Sequence, residues 1–162
     1  MNIALIHDWL TNMGGAERVV INFKEIYQDA PIYTTLYNES NLDEELQNID
    51  VRTSFLQNIK GANKKHQKFF PLMPMAFESF DLNAYDVVLS SSSSCAKGVV
   101  TNPETMHVCY CHSPMRYGWE FYYEYTKDMK GIKKKLIKYF MNYMKIWDVS
   151  SSNRVDYFKD MF

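Results

Sequence analysis

The first residues of the chain constrain its fold most strongly. Residues 2–7 form a short, mostly apolar run, and Gly14 and Gly15 separate it from an amphipathic segment at 15–27. A buried strand, a glycine loop and a helix in this order are typical of open α/β sheets, which bind ligands at the carboxyl ends of their strands. Glycine lets backbone N–H groups approach a ligand closely, and a helix N-terminus favours an anion. The segment therefore predicts a site for a phosphorylated ligand.

Strand and helix patterns alternate along the rest of the chain. Further strands are predicted at 32–37, 49–55, 85–89 and 106–111, and further helices just after Asn41, at 118–125 and at 132–149, the last continuing toward residue 162. Strands separated by helices imply parallel crossover units. We therefore expect an α/β domain over residues 1–162, with a single Rossmann-like, doubly wound, mainly parallel sheet flanked by helices.

Composition narrows the class of protein. With 162 residues, 46% hydrophobic and 23% charged, the chain has the size and composition of one globular domain. A net charge of −1 gives no reason to expect a nucleic-acid partner. The first apolar run is interrupted by His7 and Asp8, so it does not resemble a signal peptide, and no run is long enough to span a bilayer. The three cysteines suggest no disulfide framework, so we predict a cytoplasmic protein.

Polar residues follow three of the predicted strands. They are His7 and Asp8 after the first, the serines at 90–94 after the fourth, and His112 after the fifth. Parallel strands present their carboxyl ends at one edge, so these residues should face one crevice. His112 is either a capped or exposed loop histidine or a group that hydrogen-bonds a substrate hydroxyl or phosphate. The double glycine lacks the G-x-G-x-x-G spacing of a dinucleotide site, which argues against a dehydrogenase.

The segment 107–112 contains two histidines and two cysteines, which raises the question of a metal site. His107, Cys109 and Cys111 share one face of the predicted strand, whereas His112 points to the other face. Cys-x-Cys is not a standard zinc spacing, and free cysteines are commonly buried. We expect no metal ligands here.

The predicted helix at 132–149 has one apolar and aromatic face with lysines beside it. The face consists of Ile132, Leu136, Tyr139, Phe140, Tyr143 and Trp147, and the flanking lysines are Lys133, Lys134, Lys138 and Lys145. Such a face packs on the core in most proteins while its lysines are solvated. The alternative is a helix that lies on an anionic membrane surface.

Several segments, in order, resemble family 4 glycosyltransferases of the GT-B architecture, which has two Rossmann-like domains. The first is His-Asp-Trp-Leu at 7–10 with Gly-Gly-Ala-Glu-Arg at 14–18. The others are Pro-Leu-Met-Pro at 71–74, Phe-Glu-Ser-Phe-Asp-Leu at 77–82, the serines with Ala-Lys-Gly at 90–98, Tyr-Cys-His-Ser-Pro-Met-Arg-Tyr at 110–117, and Trp-Asp at 147–148 with Asn-Arg-Val-Asp-Tyr-Phe at 153–158. The similarity extends from about residue 3 to residue 158.

This resemblance implies retaining transfer of a hexose from a nucleotide sugar, without a metal or other cofactor, to a glycan or lipid-linked acceptor, as in polysaccharide biosynthesis. Gly14 and Gly15 would contact the donor diphosphate, where backbone donors stabilise charge on the leaving group. His112 would be the catalytic histidine that contacts the transferred sugar. The residues expected on the acceptor side are Lys97, Arg116, Tyr117 and Trp119.

In the family, a second domain with a Glu-x7-Glu motif holds the nucleotide sugar. Glu17 and Glu25 have this spacing but lie in the first helix, so we attribute it to coincidence. We expect the C-terminal nucleotide-sugar domain to be absent, and the chain to be an acceptor-side domain with little activity unless a second-domain subunit or another copy completes it. The alternative is a non-catalytic module that binds an acceptor, an anionic membrane surface or a protein partner. Either protein would be cytoplasmic or peripheral on the inner face of the cell membrane.

Overall fold

The computed structural model describes residues 1–64, 66–113, 115, 119 and 130–160. The strands are β1 (Ile3–His7), β2 (Ile32–Thr34), β3 (Val51–Thr53), β4 (Val87–Ser92), β5 (Met106–Cys111) and β6 (Tyr157–Asp160). The α-helices are α1 (Gly15–Ile26), α2 (Met73–Glu78) and α3 (Gly131–Ser152). Short 3-10 segments at Glu39–Asn41, Glu44–Leu46, Phe55–Asn58, His66–Leu72 and Ala96–Gly98 lie in the connections.

All six described strands form one parallel sheet in the order β3-β2-β1-β4-β5-β6. The chain moves outward from β1 in one direction through β2 and β3, then returns to β4 on the other side of β1. The boundary between β1 and β4 is therefore the topological switch point, where open α/β sheets bind their ligands. The predicted Rossmann-like, parallel α/β fold is confirmed.

Both faces of the sheet are covered, as parallel sheets require. Along β1, Ala4 and Ile6 belong to one buried cluster and Leu5 to the other, because successive side chains of a strand point to opposite faces. The first cluster includes Phe77 of α2, with Met144 and Trp147 of α3. The second includes Val20 of α1. The sheet is thus sandwiched between α1 on one face and α2 with α3 on the other.

The serine run differs from the prediction, because β4 continues through Ser92 instead of ending before it. Ser90, Ser91 and Ser92 are buried. Buried hydroxyls are tolerated when they are hydrogen-bonded, and the Ser90 hydroxyl lies 2.9 Å from His107 Nε2 on β5. Three of the five serines are therefore part of the central sheet.

Other element boundaries also differ. The strand predicted at 32–37 ends at Thr34, and the strand predicted at 49–55 covers only Val51–Thr53. A single 3-10 turn at Glu44–Leu46 replaces the helix predicted after Asn41. The helix predicted to continue toward residue 162 ends at Ser152, and β6 pairs in parallel with β5. The register of β6 is fixed where the backbone N–H of Asp156 donates to the carbonyl of His107. The helix predicted at 118–125 lies outside the described residues, apart from Trp119.

Helix α3 packs on the core through fewer of its aromatic residues than predicted. Trp147 and Met144 are buried, and Phe140 packs against the same cluster. The remaining residues of the predicted face are exposed, namely Ile132, Leu136, Tyr139 and Tyr143. Asp148 and Ser151 are also buried, and at 3.6 residues per turn they lie on the same side of the helix as Met144. The buried face of α3 is therefore rotated relative to the predicted one. Within the described residues, no helix has the length and apolar character needed to cross a bilayer.

Candidate functional site

The carboxyl ends of β1, β4 and β5 bring three polar side chains together. His7 Nδ1 lies 3.1 Å from both the carbonyl oxygen and the hydroxyl oxygen of Ser91. The same hydroxyl oxygen lies 2.8 Å from His112 Nε2. His7 and Ser91 are buried, whereas His112 is partly exposed. The prediction that these strand ends meet at one edge of the sheet is confirmed.

Glu17, in the first turn of α1, extends this group. Its Oε1 lies 3.3 Å from His7 Nε2. Burial alone raises the pKa of the Glu17 carboxyl, but its hydrogen bond to His7 and the attraction between the two groups bring the pKa below its ordinary value. Glu17 is therefore ionised at neutral pH. Glu17, His7, Ser91 and His112 form one continuous hydrogen-bonded chain from α1 to β5.

Gly14 and Gly15 begin α1 and are exposed. Gly14 is extended, with φ −160°, so no left-handed turn demands a glycine there. A Cβ at Gly14 would instead meet Glu17 Oε2 at 2.9 Å, whereas one at Gly15 would have open space around it. No side chain caps this helix end. Its first N–H groups therefore suit an anion, and the missing Gly14 side chain leaves room for Glu17.

Asp8, the residue after β1, holds the loop that follows β4. Its carboxylate accepts hydrogen bonds from the backbone N–H groups of Ser93 (2.6 Å), Ser94 (3.0 Å), Cys95 (2.7 Å) and Ala96 (2.7 Å). Successive backbone N–H groups of this kind commonly bind phosphate, but here a buried carboxylate already occupies them. Asp8 therefore has a structural role, and these four N–H groups are not available to a ligand.

Lys97 is buried and forms an ion pair with Asp148 of α3. The other carboxylate oxygen of Asp148 accepts a 2.9 Å hydrogen bond from Trp119 Nε1. Lys97 thus connects the loop after β4 to α3. Only 4% of its surface is exposed to solvent, which leaves little of it for the predicted contact with an acceptor. Trp119 is half exposed, and its ring centroid lies 5.3 Å from Lys145 Nζ. Arg116 and Tyr117, the other predicted acceptor-side residues, lie outside the described residues.

The partly exposed His112 lies against the ring of Tyr110, with 5.1 Å between ring centroids. Burial lowers the pKa of His112, and the nearby positive charge of His7 lowers it further, although Asp8 and Glu17 oppose this effect. The ring is therefore neutral at pH 7. A neutral imidazole has one donor and one acceptor nitrogen, so His112 can hydrogen-bond a ligand oxygen without adding a charge.

His107 and the buried cysteines are structural. Burial lowers the pKa of His107 to about 4, its Nε2 bonds to Ser90, and its buried Nδ1 has no partner among the described residues. Burial raises the pKa of Cys109 to about 12 and that of Cys95 still further, so both thiols stay protonated. In the described part of the chain, no three His, Cys, Asp or Glu residues are arranged to hold a metal ion.

The histidines and the serine run of this edge were predicted from the sequence, whereas Glu17 and Asp148 were given no role there. Glu17 occupies the third position of α1, where an acidic side chain commonly folds back on the helix start. That position was the available signal, although here the carboxylate reaches His7 instead of the backbone. Asp148, which pairs with Lys97 across 51 residues of sequence, gave no local signal.

Comparison of the chain with family models, curated proteins and solved structures finds no match.

Proposed function

We propose that this chain is the N-terminal domain of a retaining glycosyltransferase that transfers a hexose from a nucleotide sugar to a glycan or lipid-linked acceptor. The observation that carries the proposal is the hydrogen-bonded chain that joins the start of α1 to His112 across the switch point of the sheet. It places uncapped helix N–H groups and a neutral histidine on one crevice. The resemblance to family 4 glycosyltransferases supports the same assignment.

In this proposal, the N–H groups at Gly14 and Gly15 bind the donor diphosphate, and His112 hydrogen-bonds the hexose. Transfer breaks the bond between the anomeric carbon and the diphosphate oxygen, which keeps the electron pair. The acceptor hydroxyl oxygen forms the new bond, and its proton passes to the departing diphosphate. Backbone donors fixed at a helix start stabilise the charge that develops on the leaving group.

Calorimetry with UDP-, GDP- and ADP-hexoses, and with inorganic pyrophosphate as the bare anion, tests this assignment. His112→Ala should weaken hexose-nucleotide binding about fivefold, since one hydrogen bond contributes about 1 kcal/mol, and should leave pyrophosphate binding unchanged. Met106→Ala is the matched control, because Met106 is exposed at the opposite end of the same strand. If no hexose nucleotide binds at millimolar concentration, or if His112→Ala binds like the parent chain, the proposal is wrong.

A second candidate function, docking on an anionic membrane, rests on the outer surface of α3. Five apolar or aromatic residues lie within an arc of about 80° at 3.6 residues per turn. They are Ile132, Leu136, Tyr139, Tyr143 and Ile146, each more than half exposed. The neighbouring arc presents lysines, namely Lys134, Lys135, Lys138 and Lys145. Apolar side chains beside a row of lysines match the acyl boundary and the phosphates of an anionic lipid surface.

Co-sedimentation with phosphatidylglycerol and phosphatidylcholine vesicles tests the docking of α3. We expect binding to phosphatidylglycerol only, weakened by salt, and reduced several-fold in Leu136→Gln and in Lys138→Gln. Asn142→Gln, an exposed polar position on the same helix, is the control and should bind normally. Equal sedimentation with both lipids, or unchanged binding by the two test variants, would count against a membrane-docking role.

A further inference from the structure

We infer that His7 and Ser91 are positioning residues that fix the tautomer of His112, so that its Nδ1–H is presented as a hydrogen-bond donor to an oxygen atom of the ligand. Glu17 accepts a hydrogen bond from the other ring nitrogen of His7, which holds the ring in the orientation that this arrangement requires. The inference rests on the proposed function only for the identity of the ligand, a hexose hydroxyl of the nucleotide sugar. The donors and acceptors of the chain set the direction of each hydrogen bond.

The first step is the protonation of His7. Its Nε2 lies 3.3 Å from the Glu17 carboxylate, and its Nδ1 lies 3.1 Å from the backbone carbonyl of Ser91. Carboxylate and carbonyl oxygens accept hydrogen bonds and cannot donate them. The proposal therefore assigns a proton to both ring nitrogens of His7, with Nδ1 donating to the Ser91 carbonyl and Nε2 donating to the Glu17 carboxylate. His7 is only 2% exposed, so solvent has little access to either ring nitrogen.

The second step is the direction of the Ser91 hydroxyl. Its oxygen lies 3.1 Å from His7 Nδ1 and 2.8 Å from His112 Nε2. Since His7 Nδ1 already carries a proton, it cannot accept the proton of the hydroxyl. Ser91 is 1% exposed, and a buried hydroxyl without an acceptor for its proton destabilises the folded protein. The hydroxyl of Ser91 therefore donates to His112 Nε2.

The third step is the tautomer of His112. A neutral imidazole whose Nε2 accepts a hydrogen bond carries its proton on Nδ1. The described residues offer no hydrogen-bond partner to Nδ1, and the ring is partly exposed at the crevice. His112 therefore has a free donor and no free lone pair. It can bind a ligand oxygen as a donor, and it cannot serve as a general base while Ser91 occupies Nε2.

Nitrogen-15 NMR of the histidine rings tests this arrangement directly, because the ring shifts separate protonated from bare nitrogens. The chain has four histidines, so single replacements assign every signal. At pH 7 we expect two protonated nitrogens in His7, and in His112 a protonated Nδ1 with a bare Nε2. Protonated Nε2 in His112 of the parent chain would overturn the inference, whatever the behaviour of any variant.

Two serine variants sharpen the test. Ser91→Ala removes the hydroxyl that donates to His112, so we expect the His112 proton to shift toward Nε2. Ser90→Ala is the matched control, because the neighbouring hydroxyl bonds to His107 and should leave His112 unchanged. An unchanged His112 tautomer in Ser91→Ala would also contradict the inference. The spectra need no ligand, so a failure of hexose-nucleotide binding would argue against the proposed function alone.

Discussion

Asp8 Oδ1 lies 2.7 Å from the backbone nitrogen of Ala96, and this contact ties the end of β1 to the loop after β4. The Asp8 carboxylate accepts hydrogen bonds from four backbone N–H groups in total. Asp8→Asn replaces an acceptor oxygen with an amide NH2 that faces these donors. We expect a loss of about 2–4 kcal/mol in the free energy of unfolding, since hydrogen bonds to a charged group contribute about 1.5–3 kcal/mol each.

Urea unfolding measures the effect of Asp8→Asn, and Asp29→Asn provides the control. Asp29 is exposed and makes no hydrogen bond among the described residues, so its replacement should change stability by less than about 0.5 kcal/mol. Similar stabilities for the two variants would show that the loop does not depend on the Asp8 carboxylate.

The buried ion pair of Lys97 and Asp148 predicts a strong coupling between two distant parts of the chain. Among the described residues, Lys97→Met leaves the buried Asp148 carboxylate with the Trp119 hydrogen bond alone, and it should cost about 3–5 kcal/mol. The double variant Lys97→Met with Asp148→Leu removes both charges and should be less destabilised than Lys97→Met alone. Chemical denaturation of both variants and of Asp148→Leu gives the coupling energy. Additive losses would mean that the two residues do not interact.

Gly98 marks the closest approach of the loop after β4 to α3. A Cβ at this position would lie 2.2 Å from a ring carbon of Trp147, a buried aromatic that cannot move freely. Gly98→Ala should therefore lower the melting temperature, with a loss of about 1–3 kcal/mol from overpacking. Gly15→Ala, where a Cβ meets open space, should show no loss. Calorimetric melting of the two alanine variants separates crowding from the general effect of replacing glycine.

His107 predicts a specific loss of stability in acid. Burial lowers the pKa of His107 from an ordinary value of 6.5 to about 4, so the unfolded chain binds a proton at this residue before the folded chain does. The contribution is complete above about pH 6.5 and disappears as the pH falls toward 4, a loss of about 3 kcal/mol. An NMR titration should show His107 titrating near pH 4. A midpoint near 6.5 would contradict the burial of its ring.

The fold was predictable because its main signals are local. The apolar run of β1, the glycine loop and the periodicity of α1 identify an open α/β sheet, and parallel strands bring His7 and His112 to one edge. The residues that complete the site were harder to predict, because their partners are distant in sequence. Ser91 lies 84 residues from His7 and 21 from His112, and its role depends on the register between β1, β4 and β5.

Residues that look similar in the sequence also differ in their burial in the structure. Lys97 and Lys138 look equally available in the sequence, yet the first is buried in an ion pair and the second is exposed on α3. Leu136 and Tyr143 are exposed, although one of the two interpretations of the helix sequence placed them at the core. Helical periodicity defines an apolar face but not the rotation of the helix. Tertiary packing decides such positions.

The most direct test of the central claim is a map of the backbone amides that respond to a hexose nucleotide. In nitrogen–proton correlation spectra, the proposal predicts that inorganic pyrophosphate shifts the amides of Gly14 and Gly15, and that a hexose nucleotide also shifts the signals of His112. The shifts should saturate at millimolar ligand and cluster at the carboxyl edge of β1, β4 and β5. Shifts confined to other surfaces, or none at saturating ligand, would contradict a sugar-diphosphate site at this edge.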